Sequence, residues 1–229
     1  MKIEKKLIEI PVELFKDLVI EPCIEINEGI KIITPNEANC VMCIFELPKE
    51  KFIEYDFVGV QKFKVAMDLL NNILKRIKTK NVNINYKDTK LIISDENNKK
   101  SYDIAVMADE DSQRDIPELP LTTNFRMEST KLQELFGDAS VVGDACTLET
   151  TENALIINAG NLNKHVSKTE CETGNTGDVA LSLEYLLLFM NASKYFKDVL
   201  FEFSTNGPCK LTFENEDLKI QFILAARVE

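Results

Sequence analysis

Asp109-Glu110-Asp111-Ser112-Gln113-Arg114-Asp115-Ile116-Pro117-Glu118-Leu119-Pro120-Leu121 lies at the middle of the chain and divides it. The stretch begins acidic, carries two prolines and has neither a helical nor an alternating apolar spacing. Proline supplies no backbone N–H, and so polar a segment has little apolar surface with which to order itself. It reads as a solvated, extended linker between two halves of nearly equal length. The expected bounds are a first domain over residues 1–108, a linker over 109–120 and a second domain over 121–229.

The halves on either side repeat one design. In the first, residues 7–10 read as a short strand, and Pro11 opens a two-turn helix over residues 11–19, proline being tolerated in a first turn. Residues 23–26 and 30–33 flank Asn27-Glu28-Gly29, a hairpin signature with a glycine able to take positive φ. Strands follow over 40–45 and 55–60. Residues 62–80 change period: Ala66, Leu69, Leu70, Ile73, Leu74 and Ile77 recur at three- and four-residue steps, as in an amphipathic helix. Lys62, Lys64, Lys75, Arg76, Lys78 and Lys80 stand there against Asp68 alone, in a chain of net charge −11. Alternating strands over 82–86, 90–94 and 101–107 close the half.

The second half gives a strand at Phe125-Arg126-Met127 and a helix over 129–138. A hairpin follows around Glu152-Asn153, then a long helix over 182–198 and strands over 199–203, 210–213 and 219–225. Val82, Ile84, Leu91 and Ile104 recur as Val199, Phe201, Leu211 and Leu224 at a nearly constant offset. Each half therefore reads β-α-β-β-β-α-β-β-β, an α+β arrangement with helices on one face of antiparallel sheets. Two such halves leave open sheet edges that must be covered or paired with another copy.

Composition narrows the function. At 229 residues and 45% apolar, the chain can bury a substantial core. Its acidity argues against a surface generally coated by nucleic acid and leaves room for a local basic patch. No stretch approaches the roughly 20 apolar residues that span a bilayer, and Met1-Lys2-Ile3-Glu4-Lys5-Lys6 lacks the apolar run of a signal peptide, so an intracellular protein is expected. In that reducing setting Cys23, Cys40, Cys43, Cys146, Cys171 and Cys209 read as small hydrophobes, with no disulfide.

Catalytic readings find little support. Cys40-Val41-Met42-Cys43 has CxxC spacing, but in an alternating strand the two thiols point to opposite faces, and no second pair completes a zinc site. His165 is the single histidine and, with Cys171, lacks a third member for nucleophilic catalysis. No GxxxxGK[ST] or GxGxxG occurs. Asp109-Glu110-Asp111 reads as solvated acid rather than a calcium loop. No cofactor or metal is expected.

Several segments carry a family resemblance. They are Lys16-Asp17-Leu18 followed by Glu21-Pro22-Cys23, the run from Gly29 that ends Phe45-Glu46-Leu47-Pro48, and Ile116-Pro117-Glu118-Leu119-Pro120 in the linker. Gly143-Asp144-Ala145, Ser182-Leu183-Glu184-Tyr185-Leu186 and the ending Leu224-Ala225-Ala226-Arg227-Val228-Glu229 complete the set. In this order and spacing the chain resembles the sliding clamps of the proliferating cell nuclear antigen family, archaeal and eukaryotic type, over nearly its whole length. The resemblance implies a noncatalytic ring of three subunits, with helices lining a central hole around duplex DNA and sheets outside. It also implies an ATP-driven clamp loader, and polymerase, nuclease and ligase clients held through short apolar peptides. Location with DNA follows, cytoplasmic in an archaeal or viral setting and nuclear in a eukaryotic one.

Residue by residue, the family's DNA-facing lysines fall on Lys16 and Lys75, with Arg76 and Lys78 close by; the third helix offers Lys131, and the fourth Lys194 and Lys197. Other basic positions of the family fall on Asn72, Gly137, Val141 and Asn191, and the first helix reads as having lost its early turn and its lysine pair. The partner-peptide pocket beneath the linker falls on Cys40, Met42, Ile116, Leu119, Pro208, Ile223, Ala225 and Ala226, with Pro35 standing for a methionine and Ala226 for a proline. Subunit joining falls on Tyr102, Ile104 and Val106 of one edge and Val166 and Lys168 of the other. Two readings remain open: a homotrimeric clamp, or a clamp-fold interaction protein acting in a heterotrimeric ring or as a monomeric polymerase accessory factor.

Overall fold

A computed structural model describes residues 1–109, 115–152, 154–167 and 170–227. The chain forms two compact units, Met1–Glu37 with Cys43–Ile116, and Ala38–Met42 with Pro117–Glu229.

The first unit runs β1 (Lys2–Glu4), α1 (Lys6–Phe15), β2 (Cys23–Ile26), β3 (Gly29–Pro35), β4 (Val41–Pro48), β5 (Gln61–Lys64), α2 (Met67–Arg76), β6 (Asn81–Lys87), β7 (Lys90–Asp95), β8 (Ser101–Ala105) and β9 (Met107–Ala108). Two sheets result, β1-β6-β7-β8 and β4-β3-β2-β5-β9. Alternation puts one face of each strand inward. Ile8 and Val12 of α1 and Leu70 of α2 meet Ile24, Ile26, Phe45 and Phe63 of one sheet and Ile84, Leu91 and Ile93 of the other, around an apolar void of about 30 Å³. The β2–β3 turn depends on Gly29, whose φ is +138° and whose missing Cβ would lie 2.1 Å from the Leu47 carbonyl oxygen. Tyr55 fixes the same turn: its hydroxyl donates to the Asn27 carbonyl at 2.5 Å and accepts from the Gly29 N–H at 3.1 Å.

Four expectations for this unit are corrected. The first strand is Lys2–Glu4, not residues 7–10, and α1 begins at Lys6 with Pro11 inside it, so the early turn is present. Leu7, Ile8 and Val12 are buried on one side of that helix, and their burial outweighs the hydrogen bond that Pro11 cannot donate. Residues 55–60 form no continuous strand; Val58 is 93% exposed, and an apolar residue with no sheet to face gives alternation nothing to bury. The helix expected over 62–80 is only α2. Lys62 and Lys64 sit on β5, opposite Glu25 and Cys23 of β2, because Phe63, Val65 and Met67 alternate inward before the helix starts.

The second unit runs β10 (Thr123–Glu128), α3 (Ser129–Ser140), β11 (Ala145–Thr150), β12 (Ala154–Ala159), β13 (Leu162–Ser167), β14 (Cys171–Thr173), β15 (Gly177–Ser182), α4 (Leu183–Phe189), β16 (Asp198–Phe203), β17 (Cys209–Glu214) and β18 (Lys219–Leu224). Its sheets are β13-β12-β11-β15 and β14-β10-β16-β17-β18. Stacked phenylalanines fill its core: Phe125 on Phe201 at 4.8 Å and Phe189 on Phe222 at 4.5 Å. The long helix expected over 182–198 is the seven-residue α4 followed by a 3-10 turn, Met190–Lys194. The Ser193 hydroxyl reaches Gln133 of α3 at 2.6 Å, and the Lys197 carbonyl accepts from the Ser129 N–H at 2.8 Å, so the chain must leave the helix axis to enter β16.

Each unit thus keeps the expected α+β class, with one further strand on either side of α2 in the first unit and two further strands before α4 in the second. Residues 115–122 carry neither helix nor strand. No helix among the described residues is long and apolar enough to cross a membrane.

Candidate nucleic-acid interface

The helix α2 supplies the clearest cationic surface. Its inner side buries Met67, Leu70, Ile73 and Leu74, which turns Asp68, Asn72, Lys75 and Arg76 outward. Lys75 and Arg76 occupy the last turn, where the helix dipole favours positive charge, and Lys78 follows directly. All three are exposed and make no ion pair among the described residues. The strand lysines of the same run are engaged: Lys62 with Glu25 at 3.6 Å and Lys64 with Asp109 at 3.7 Å.

The other expected DNA-facing residues differ in their surroundings. Lys16 ends α1 and lies 2.6 Å from both carboxylate oxygens of Asp17. Lys131 on α3 pairs with Glu170 at 3.4 Å, and its helix also exposes Glu134 and Asp138. Lys194 and Lys197 are exposed beyond α4, while Glu184 is exposed on it. Positive charge free of acid therefore collects at the end of α2. Sequence reading missed Lys5 and Lys6, which the corrected start of α1 brings to that same end: the Lys5 ammonium donates to the Leu74 carbonyl at 3.4 Å and the Ile77 carbonyl at 3.0 Å. The adjacent Lys5-Lys6 pair was the available signal, hidden by starting the helix at Pro11.

In the second unit, Cys40, Ala225 and Ala226 line a groove of about 690 Å³ together with Ser182, Leu183, Tyr185 and Leu187. The Ala225 N–H donates to the Cys40 carbonyl at 2.9 Å, and an Arg227–Asp144 ion pair at 3.1 Å stands at its rim. Small and apolar side chains with a polar rim suit an extended peptide. Of the other residues expected in a partner pocket, Met42, Leu119 and Pro208 are half-buried and Ile223 is buried, outside the lining of this groove; Ile116 belongs to the first unit and is exposed.

Tyr102 and Ile104 lie on β8, the edge of its sheet, and Val106 follows it; Val166 lies on the edge strand β13. Lys168 lies outside the described residues. Because the Val106 N–H bonds to the Thr89 carbonyl at 3.1 Å, the even-numbered residues of β8 bond to β7, and the amides of Asp103 and Ala105 face the open side.

The cysteines are free thiols. Burial pushes Cys146 and Cys171 up to about 12, and raises Cys43 and Cys209 still further. Such thiols carry almost no thiolate near neutrality. Among the described residues, no three His, Cys, Asp or Glu side chains are grouped to hold a metal ion.

No family model matches the chain. Individual relatives do. The DNA polymerase sliding clamp of Nanoarchaeum equitans is 26% identical over 234 residues, covering 94% of each chain. That of Thermococcus onnurineus is 28% identical over 227 residues, covering 93% of this chain and 91% of its own. The chain resembles the DNA sliding clamps. Among solved structures, proliferating cellular nuclear antigen from Entamoeba histolytica superposes with a TM-score of 0.87 at 18% identity, covering 99% of this chain and 98% of its own. The α+β fold described above is therefore the clamp fold, and the sliding-clamp resemblance takes in both units rather than one.

Proposed function

We propose that this chain is a noncatalytic DNA sliding clamp, a polymerase processivity factor that closes with two further subunits around duplex DNA. The observation that carries this reading is similarity to sliding clamps over more than nine-tenths of both chains, joined to the clamp fold. The free cations Lys75, Arg76 and Lys78 support it, since sliding asks for weak contacts to phosphate with no reading of bases. Two clamp domains, 1–108 and 121–229, joined by a linker over 109–120, belong to the same reading. So does the joining of β8 in one subunit to β13 in the next, which would satisfy amides such as those of Asp103 and Ala105. The groove at Cys40, Ala225 and Ala226 would take part in holding short apolar peptides of polymerase, nuclease and ligase clients, and an ATP-driven loader would open the ring. Such a protein works inside the cell, with DNA.

Light scattering of the purified chain over a dilution series tests the assembly. A mass near three times 26.0 kDa is expected. A persistent 26.0 kDa species would exclude the homotrimer. A specific observation favours the second reading, a clamp-fold subunit of a mixed ring or a monomeric accessory factor: α3 and α4 expose Glu134 and Glu184, and Lys131 is paired with Glu170 at 3.4 Å. Mixing with related clamp subunits, followed by the same mass measurement, separates the two.

A further inference from the structure

We infer that Ser204 and Asn175 are positioning residues for client peptides: from two separate turns of the second unit they grip the backbone of residues 119–122 and tie it to the turn that carries Pro208. This role rests on the clamp reading, in which Leu119 and Pro208 belong to the partner pocket, and it falls to two residues outside that correspondence.

Residues 117–122 are hard to fasten by backbone alone. Pro117 and Pro120 have no N–H to donate, and the segment lies in no sheet, so its carbonyls meet no ladder. The Leu121 N–H bonds to the Leu119 carbonyl at 2.8 Å, and the Thr122 N–H to the Phe203 carbonyl at 3.2 Å. Two side chains then take carbonyls of the segment. The Ser204 hydroxyl donates to the Pro120 carbonyl at 2.6 Å, and the Asn175 side-chain amide donates to the Thr122 carbonyl at 2.8 Å.

Both donors are themselves fixed. Ser204 opens the β16–β17 turn, where its N–H bonds to the Pro208 carbonyl at 3.3 Å and its carbonyl accepts from the Gly207 N–H at 2.9 Å. Pro120 and Pro208 are thus joined through one residue. Asn175 lies between β14 and β15, and its carbonyl accepts from the buried Thr150 hydroxyl at 2.8 Å. Beside it the Gly174 N–H bonds to the Asn124 carbonyl at 2.8 Å. Gly177 lets this loop lie close against β10, since a Cβ there would stand 2.6 Å from the Thr123 hydroxyl oxygen. A donor anchored by its own backbone fixes its acceptor, whereas a loose side chain would follow it. Leu119 and Leu121 stay half-buried on the held segment, with Pro120 exposed between them. A pocket wall fixed in advance spares an incoming peptide the cost of ordering it.

The test uses the full-length protein with Ser204→Ala, Asn175→Ala, the two combined, and Ser204→Thr. None of these removes the backbone bonds of either turn, so the urea midpoint should match that of the unaltered protein. Hydrogen exchange with mass detection over residues 117–124 reads the grip, and anisotropy of a short fluorescein-labelled peptide with two adjacent phenylalanines reads the pocket. Exchange at the Leu121 and Thr122 amides should quicken about fivefold in each single alanine variant and about twenty-fivefold in the double, since each lost bond adds its own factor. Peptide affinity should fall at least about twofold in the double variant, as the fraction of protein with the wall in place drops. Ser204→Thr, which keeps the hydroxyl, should match the unaltered protein in both readouts. Unchanged exchange in the double variant overturns the grip. Faster exchange with unchanged peptide affinity overturns the positioning role and leaves the clamp reading standing. If the unaltered protein itself binds no such peptide, the client part of the clamp reading fails and this role falls with it.

Discussion

Cys40 is half-exposed beside Ala225, whereas Cys23, Cys43, Cys146, Cys171 and Cys209 are buried. Iodoacetamide at pH 8 should therefore label Cys40 alone in the native protein and all six cysteines in urea, as read by intact-mass spectrometry. Native labelling of Cys146 or Cys171 would contradict their burial and their thiol pKa values near 12. Gly29 gives a second single-residue outcome. Gly29→Ala forces a side chain onto the Leu47 carbonyl at a φ that L residues rarely adopt, and should cost more than about 1 kcal/mol in urea unfolding. Gly29 was legible in sequence as the turn glycine of Asn27-Glu28-Gly29. Its clash partner was not, because Leu47 stands on another strand.

The edge strand β8 offers a test in which the two sides of one strand behave differently. Ala105 directs its amide away from β7, so Ala105→Pro should leave circular dichroism unchanged while blocking pairing with another copy, giving the 26.0 kDa species in light scattering. Ile104 pairs with Leu91 in the hydrogen-bonded register, and Ile104→Pro should disrupt the sheet itself. A trimer that survives Ala105→Pro would argue against assembly through this edge. Strands were the most readable elements here: the hairpin around Asn27-Glu28 and the three closing strands of each half lie within one or two residues of expectation. Helices were read less well. Apolar spacing located the centre of α2 but extended it over Lys62 and Lys64, which pair across β2, and through Lys78 and Lys80, which follow the helix. Pro11 reads as a start signal for α1, but the buried side chains of Leu7 and Ile8 carry that helix back to Lys6.

At the scale of the whole molecule, the amino-acid sequence by itself determined the α+β class, the twofold repetition and the concentration of positive charge before residue 80. These are properties of local periodicity and composition, which each segment carries wherever it lies in space. The sequence also held the motifs behind the clamp resemblance, because their order along the chain needs no folding to be seen. Only the tertiary structure decided which cations are free. Lys131 looked equivalent to Lys75 in sequence, yet Glu170, 39 residues away, stands against it, and Lys64 is met by Asp109, 45 residues away. It alone brought Lys5 and Lys6 to the end of α2, and Cys40 to Ala225 and Ala226. The physical reason is the same in each case: the electrostatic and packing environment of a side chain is set by neighbours distant in sequence, and a period or a motif encodes only those nearby.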